Sequence, residues 1–167
     1  MSLAKTAAAL GLSAVAVADR NTLAGVVRAH QAAKQAGIKL VVGARLDLQD
    51  APSMLCFPTD RAAYGRLSTL ITLGRRRAAK GECEIRLEDV FAHSGGQVFI
   101  SLPPSGMGPE PDAAYTAHLR RLREILGRDV WLAARCRYHG NDGARLWALA
   151  RLAVDVNIPM VATNDVR

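Results

Sequence analysis

Apolar positions along this chain alternate between two spacings. Short unbroken apolar runs are separated by longer stretches in which apolar residues return every three or four positions. The first spacing predicts buried strands and the second predicts amphipathic helices. A helix is expected over Ala4–Leu10, closed by Gly11, and a strand over Ser13–Ala18. Asn21 or Thr22 then caps a helix whose period is carried by Leu23, Val26, Val27 and His30, ending at Gly37. Strands follow at Lys39–Leu48 and Ser53–Phe57. Thr59 or Asp60 opens a helix with Ala63, Leu67, Leu70 and Ile71 on one face. Leu87–His93 reads as a short helix stopped by Gly95 and Gly96, and Gln97–Leu102 as a strand ended by Pro103 and Pro104. Asp112 opens a helix with Tyr115, Leu119, Leu122 and Leu126 in register, closed by Gly127. A strand at Val130–Arg137, a loop at Tyr138–Asp142, a helix at Leu146–Val154 and a strand at Met160–Thr163 complete the pattern.

Strands alternating with helices imply an α/β fold with a mostly parallel sheet of about six strands. Two segments share one design: SAVAVADRN (Ser13–Asn21) and PMVATNDVR (Pro159–Arg167) are apolar strands that end in polar residues including Asp. Parallel α/β folds place their sites at such strand ends. The segment from Asp19 to Gly25, DRNTLAG, is neither GxGxxG nor a P-loop, so a barrel-like sheet is favoured over a dinucleotide fold. There is no internal repeat, and Pro103–Pro111 reads as a surface loop rather than a linker, so residues 1–167 are expected to form a single domain.

Composition sharpens this picture in three places. Aromatic residues are only 5%, so Ala, Val and Leu must fill the core. No apolar run is long enough to cross a bilayer, so no membrane is implied. The three cysteines, Cys56, Cys83 and Cys136, are odd in number and form no CxxC, which points to reduced thiols and a cytoplasmic setting. The net charge of +7 is clustered. Arg75, Arg76, Arg77 and Lys80 follow one helix, and Arg120, Arg121 and Arg123 lie on the polar face of another. These are a solvated surface or, for Arg75, Arg76, Arg77 and Lys80, a DNA or phosphate contact. No aromatics interleave with them, which argues against a stacking platform for single strands.

Catalytic candidates are sparse. A metal-assisted hydrolase needs imidazoles and carboxylates converging on the ion. Of His30, His93, His118 and His139, only His139, with Cys136 and Asp142 nearby, is placed to share a rim with Asp19 and Asp165, and a polar loop explains it as well. Ser94-Gly95-Gly96 and Ser105-Gly106 lack the GxSxG context of a nucleophile elbow. Cys136, placed on a strand, reads as core, and Asn141-Asp142-Gly143 as a turn and N-cap.

Three stretches resemble a known family. GLSAVAVADRNTLAGVVRAHQAAKQAGIKLVVGARLDL (Gly11–Leu48) is similar to the PHP (polymerase and histidinol phosphatase) domain of bacterial C-family DNA polymerases. SMLCFPTDRAAYGRLSTLITLGRRRAAKGECEIRLEDV (Ser53–Val90) resembles the error-prone, damage-associated branch of the polymerase III alpha subunit family, and IPMVATNDVR (Ile158–Arg167) is similar to the family's last barrel strand. The resemblance implies a PHP-type distorted (β/α)7 barrel, here lacking its first strand and the HxH pair on it, so truncated at the N-terminus with an open edge between the strands at Ser13 and Met160. Metal-bearing members bind divalent Zn, Mn or Mg at the strand-end rim for phosphoester hydrolysis. Matched position by position, Asp19 is kept and Arg20 stands in a His position. Arg45 stands where a Glu is expected, Ser53 where a His is expected, Asp165 is kept, and Arg167 takes the last His position. Asp19 and Asp165 are thus vestigial metal ligands, and Arg20, Asn21, Arg45, Ser53, His139, Asn164 and Arg167 line the rim.

The implied role is the PHP domain of an error-prone polymerase acting in DNA replication and repair, itself catalytically degenerate, with no cofactor expected in this chain and polymerase chemistry in domains absent here. Arginines at ligand positions would replace the metals' charge and neutralise the carboxylates, or would bind a phosphate. The implied partners are the polymerase palm and thumb, DNA through the parent enzyme, a sliding clamp and damage-response accessory proteins, with a dimer through the open edge as a further option. Two alternatives stand beside this reading: a metal-dependent phosphoesterase or exonuclease using a residual rim site, and a basic DNA-contacting accessory module.

Overall fold

The computed structural model describes residues 3–104, 107, 112–136 and 140–163. Among these residues six strands, β1 (Ala14–Arg20), β2 (Lys39–Leu46), β3 (Met54–Pro58), β4 (Gln97–Ser101), β5 (Val130–Ala134) and β6 (Met160–Ala162), form one curled sheet in chain order. The helices among the described residues are α1 (Leu3–Ala9), α2 (Val26–Ala36), α3 (Arg61–Arg77), α4 (Leu87–Ala92), α5 (Ala113–Leu126) and α6 (Asp142–Asp155). β1 runs parallel to β2, and β4, β5 and β6 run parallel to one another. β3 is antiparallel to both of its neighbours. Only residues 47–53 join β2 to β3, and a parallel crossover needs a dozen or more residues. One rim therefore collects the C-terminal ends of β1, β2, β4, β5 and β6 and the N-terminal end of β3.

Alternation decides which side chains enter the core. Ala44 and Leu46 of β2, Met54 and Cys56 of β3, Phe99 of β4, and Val130 and Leu132 of β5 are buried on one sheet face. They pack against Leu67, Leu70 and Ile71 of α3, Tyr115, Leu119 and Leu122 of α5, and Leu149 and Leu152 of α6. Each fully buried Leu removes enough apolar surface to contribute about 1.5–3 kcal/mol. A smaller cluster of Ala4, Ala7, Ala33 and Ile38 ties α1 and α2 to the β1 end of the sheet. Two buried polar residues, Gln97 and Ser101, are bonded where they enter the core. Gln97 donates to the Ala63 carbonyl at 2.7 Å and accepts from the Cys56 thiol at 3.4 Å. The Ser101 and Tyr115 hydroxyls pair at 3.1 Å.

Several caps agree with the sequence. Asp60 accepts from the Ala63 N–H at 2.7 Å and Asp112 from the Tyr115 N–H at 2.6 Å. Gly37 takes the left-handed conformation that closes α2, at φ 66°.

Other expectations need correction. β1 runs on to Arg20, and Asn21 turns left-handed at φ 47°, so α2 begins at Val26 with Gly25 as its N-cap. Thr22 instead accepts a local bond from the Ala24 N–H at 3.2 Å. With that later start the helix presents Val27 (70% exposed) and His30 to solvent, not to the core. β5 stops at Ala134, leaving Cys136 exposed past its end rather than in the core. α6 starts at Asp142, earlier than Leu146.

Candidate functional site

The strand-end rim is organised around a residue that sequence patterning passed over, Asp47. Parallel pairing of β1 with β2 sets Arg20 beside Arg45, which places both side chains on the same face of the sheet. The β2–β3 register, Leu46 opposite Met54, brings Ser53 across from Asp47. Arg45 Nε and Ser53 Oγ both donate to Asp47 Oδ1 at 2.7 Å, and Arg45 Nη2 reaches Ser53 Oγ at 3.5 Å. Arg20 Nη1 lies 3.7 Å from Asp47 Oδ2, an ion pair without a hydrogen bond. Asn21 fixes the backbone beneath. Its N–H donates to the Arg45 carbonyl at 2.8 Å, its Oδ1 accepts from the Asp47 N–H at 3.0 Å, and its Nδ2 donates to the Asp47 carbonyl at 3.4 Å.

The electrostatics follow from this geometry. Partial burial pulls the Asp47 carboxyl upward. The bonds from Arg45 and Ser53 and the charges of Arg45 and Arg20 outweigh it, and the net pKa falls below the usual carboxylate value. Asp47 is therefore ionised at neutral pH.

Asp19 occupies a different place. It pairs with Ala44, on the opposite sheet face from Arg20. Its carboxylate lies against Gly25, where a Cβ would come within 2.3 Å of Oδ2. Gly25 is thus needed for that close approach. The Asp19 side chain makes no hydrogen bond or ion pair among the described residues. Asp165, Asn164, Arg167 and His139 lie outside the described residues. Among the described residues no group of three or more His, Cys, Asp or Glu side chains is arranged to hold a metal. His30 is exposed on α2. His93 lies at the end of α4 with Nδ1 2.8 Å from the Asp89 carbonyl. His118 stacks on Tyr115 within α5, and burial and the Arg121 charge lower its pKa against an opposing Asp50.

The basic run after α3 divides into separate roles. Arg75 reaches back to the rim and donates to the Asn21 carbonyl at 3.2 Å. Arg77 forks onto Asp89 at 2.7 and 3.1 Å, joining α3 to α4. Arg76 and Lys80 are exposed and have no such partner among the described residues. Asp50, also unmarked in the sequence reading, accepts the Leu87 N–H at 2.9 Å and so caps α4. The available signal for Asp47 was its position two residues beyond Arg45. Reading Lys39–Leu48 as one continuous strand concealed it.

Comparison with known proteins agrees with this architecture. A family model described as "PHP domain" matches residues 1–138. The chain is 48% identical over 165 residues to "Error-prone DNA polymerase" of Caulobacter vibrioides and 45% identical over 164 residues to "Error-prone DNA polymerase 2" of Agrobacterium fabrum. Each match covers 98% of this chain, which spans about 15% of the relatives' length. Two solved structures share the fold. One is of a candidate metal-dependent phosphoesterase from Bifidobacterium adolescentis (TM-score 0.66, 16% identity, 99% of this chain and 82% of that one). The other is of an amidohydrolase from Chromobacterium violaceum with bound sulfate and no metal (TM-score 0.73, 13% identity, 98% of this chain and 80% of that one).

Proposed function

This chain belongs to the PHP domain family, and from that premise we propose that it is the PHP domain of an error-prone DNA polymerase, serving that enzyme as scaffold and not as a phosphoesterase. The relatives at 48% and 45% identity carry that name, and this chain corresponds to a small part of them. Nucleotide addition would belong to the remaining length, and the remaining polymerase chain is the partner this domain would pack against.

One observation carries the scaffold reading: Asp47 is enclosed by Arg45, Ser53 and Arg20. Divalent metals, which the family implies, do not fit this donor set. Two guanidiniums repel a cation, and they already hold the carboxylate that would ligate it. Ser53 donates its proton to the same oxygen as Arg45. What these residues do instead is fasten the ends of β1, β2 and β3 together, with the guanidiniums supplying the positive charge.

The test combines metal analysis of the purified chain with hydrolysis of a model phosphate ester under added Zn or Mn. No turnover and substoichiometric metal are expected. Stoichiometric Zn or Mn together with hydrolysis would overturn the reading.

A further inference from the structure

We propose that the outer face of α2 is a contact surface for the phosphate backbone of duplex DNA. This goes beyond the scaffold role, and the placement of charge carries it. Residues 1–46 hold six bases, Lys5, Arg20, Arg28, Lys34, Lys39 and Arg45, and a single acid, Asp19. α2 lies within that stretch and contains no acid of its own. Its buried residue, Ala33, packs with Ala4, Ala7 and Ile38. A helix turns by about 100° per residue, so Arg28, Gln31 and Gln35 stand opposite Ala33, with Lys34 on their flank. All four are exposed, and their side chains have no hydrogen-bond or ion-pair partner among the described residues. Asp19 lies against Gly25, the N-cap of α2, and pairs with none of them.

The other basic helices are already neutralised or screened. On α5, Arg120 is held by Asp155 at 2.7 Å, Arg121 pairs with Glu88, and Arg123 donates to the Gly127 carbonyl. After α3, Arg77 is forked onto Asp89, and Glu82 and Glu84 follow within four residues of Lys80. On α2 no such acid intervenes. The helix dipole accounts for Lys34 in the last turn but not for Arg28 in the first, where a cation faces the positive end. Val27, 70% exposed, is the one large apolar residue exposed on this helix, too little for an apolar protein interface. Residues 1–46 contain no Phe, Tyr or Trp, so nothing there can stack on unpaired bases. Arg, Lys and Gln are side chains that donate to phosphate oxygens. From Arg28 to Gln35 the helix advances about 10 Å, which matches about three phosphates of one strand at an axial rise of about 3.4 Å each.

The experiment uses the 167-residue chain in EDTA. Binding of two labelled duplexes of unrelated sequence, and of one single strand, is read by fluorescence anisotropy over a salt series. The variants are Arg28→Gln, Lys34→Gln and their double, with Arg120→Gln as a charge-matched control on α5 and Arg28→Lys as the charge-preserving variant. Circular dichroism and thermal melts check that each variant folds. Both duplexes should bind alike and more tightly than the single strand. Arg28→Gln and Lys34→Gln should each weaken binding about tenfold at about 50 mM salt, the counterion-release contribution of one phosphate contact. The double variant should make the log–log salt dependence shallower by about two units. Arg120→Gln and Arg28→Lys should stay near wild type. Undetectable duplex binding at about 50 mM salt, tighter binding of the single strand, or an Arg120→Gln loss equal to that of Arg28→Gln would each overturn the proposal. None of these results touches the scaffold reading, which stands or falls on metal content and hydrolysis.

Discussion

Asp47→Asn is the sharpest probe of the rim, because it keeps the side chain's shape and removes only its charge. Arg45 Nε and Ser53 Oγ would then face a neutral acceptor, and Arg45, whose side chain is 14% exposed, would lose the charge of Asp47. A fully solvated ion pair is worth about 0.2–1 kcal/mol. Breaking a fully buried one costs about 3–5 kcal/mol. Asp47 is 33% exposed, so the loss falls between these limits, at about 2 kcal/mol. For a domain of this size that lowers Tm by about 4–8 °C. The sign of the pH dependence follows from the depressed pKa of Asp47. A carboxylate whose folded pKa lies below its unfolded value, near 3.9, contributes its full stability above that unfolded value and loses it as pH falls through the folded one. Melts of wild type and Asp47→Asn should therefore differ most at pH 6–7 (about the full 2 kcal/mol) and converge as the solution is acidified below about pH 4. A difference under about 0.3 kcal/mol at pH 7, or one that stays constant with acidification, would refute the view that an ionised Asp47 holds the rim together.

Glycine substitutions and thiol reactivity test the packing. A Cβ on Gly43 would lie 2.4 and 2.5 Å from the Phe57 ring and 2.8 Å from the Cys56 carbonyl, so Gly43→Ala should cost about 1–3 kcal/mol in urea unfolding. Gly65 in α3 has nothing within 4 Å of an added Cβ, and Gly65→Ala should stabilise by about 0.5–1 kcal/mol through helix propensity, so a result of the opposite sign at either position would count against this backbone. In a thiol-labelling time course read by mass spectrometry, exposed Cys136 should react first, and Cys56, buried with its pKa pushed up to about 12 by desolvation, should react only as the chain unfolds. Rapid labelling of Cys56 in the folded protein would contradict the core assignment.

The order of elements was legible in the chain because the relevant signals are local. Apolar periods set the stripe of Leu67, Leu70 and Ile71 and that of Leu119 and Leu122, while Asp60, Asp112, Gly37 and Gly127 act within one helical turn of themselves. That Arg20, Arg45 and Ser53 stand at the strand ends was also readable, and the family resemblance implies that they occupy metal-ligand positions.

What these three residues meet was not readable. The reversal of β3 depends on how short the 47–53 connection is relative to a crossover, and only that reversal sets Ser53 against Asp47. Arg75 and Arg77 look equivalent in the run Arg75-Arg76-Arg77, yet one reaches the Asn21 carbonyl and the other forks onto Asp89. A helix turns by about 100° per residue, so neighbours in sequence face different parts of the molecule. Which charge each one meets is decided by the register and packing of elements distant along the chain, and no local pattern encodes that.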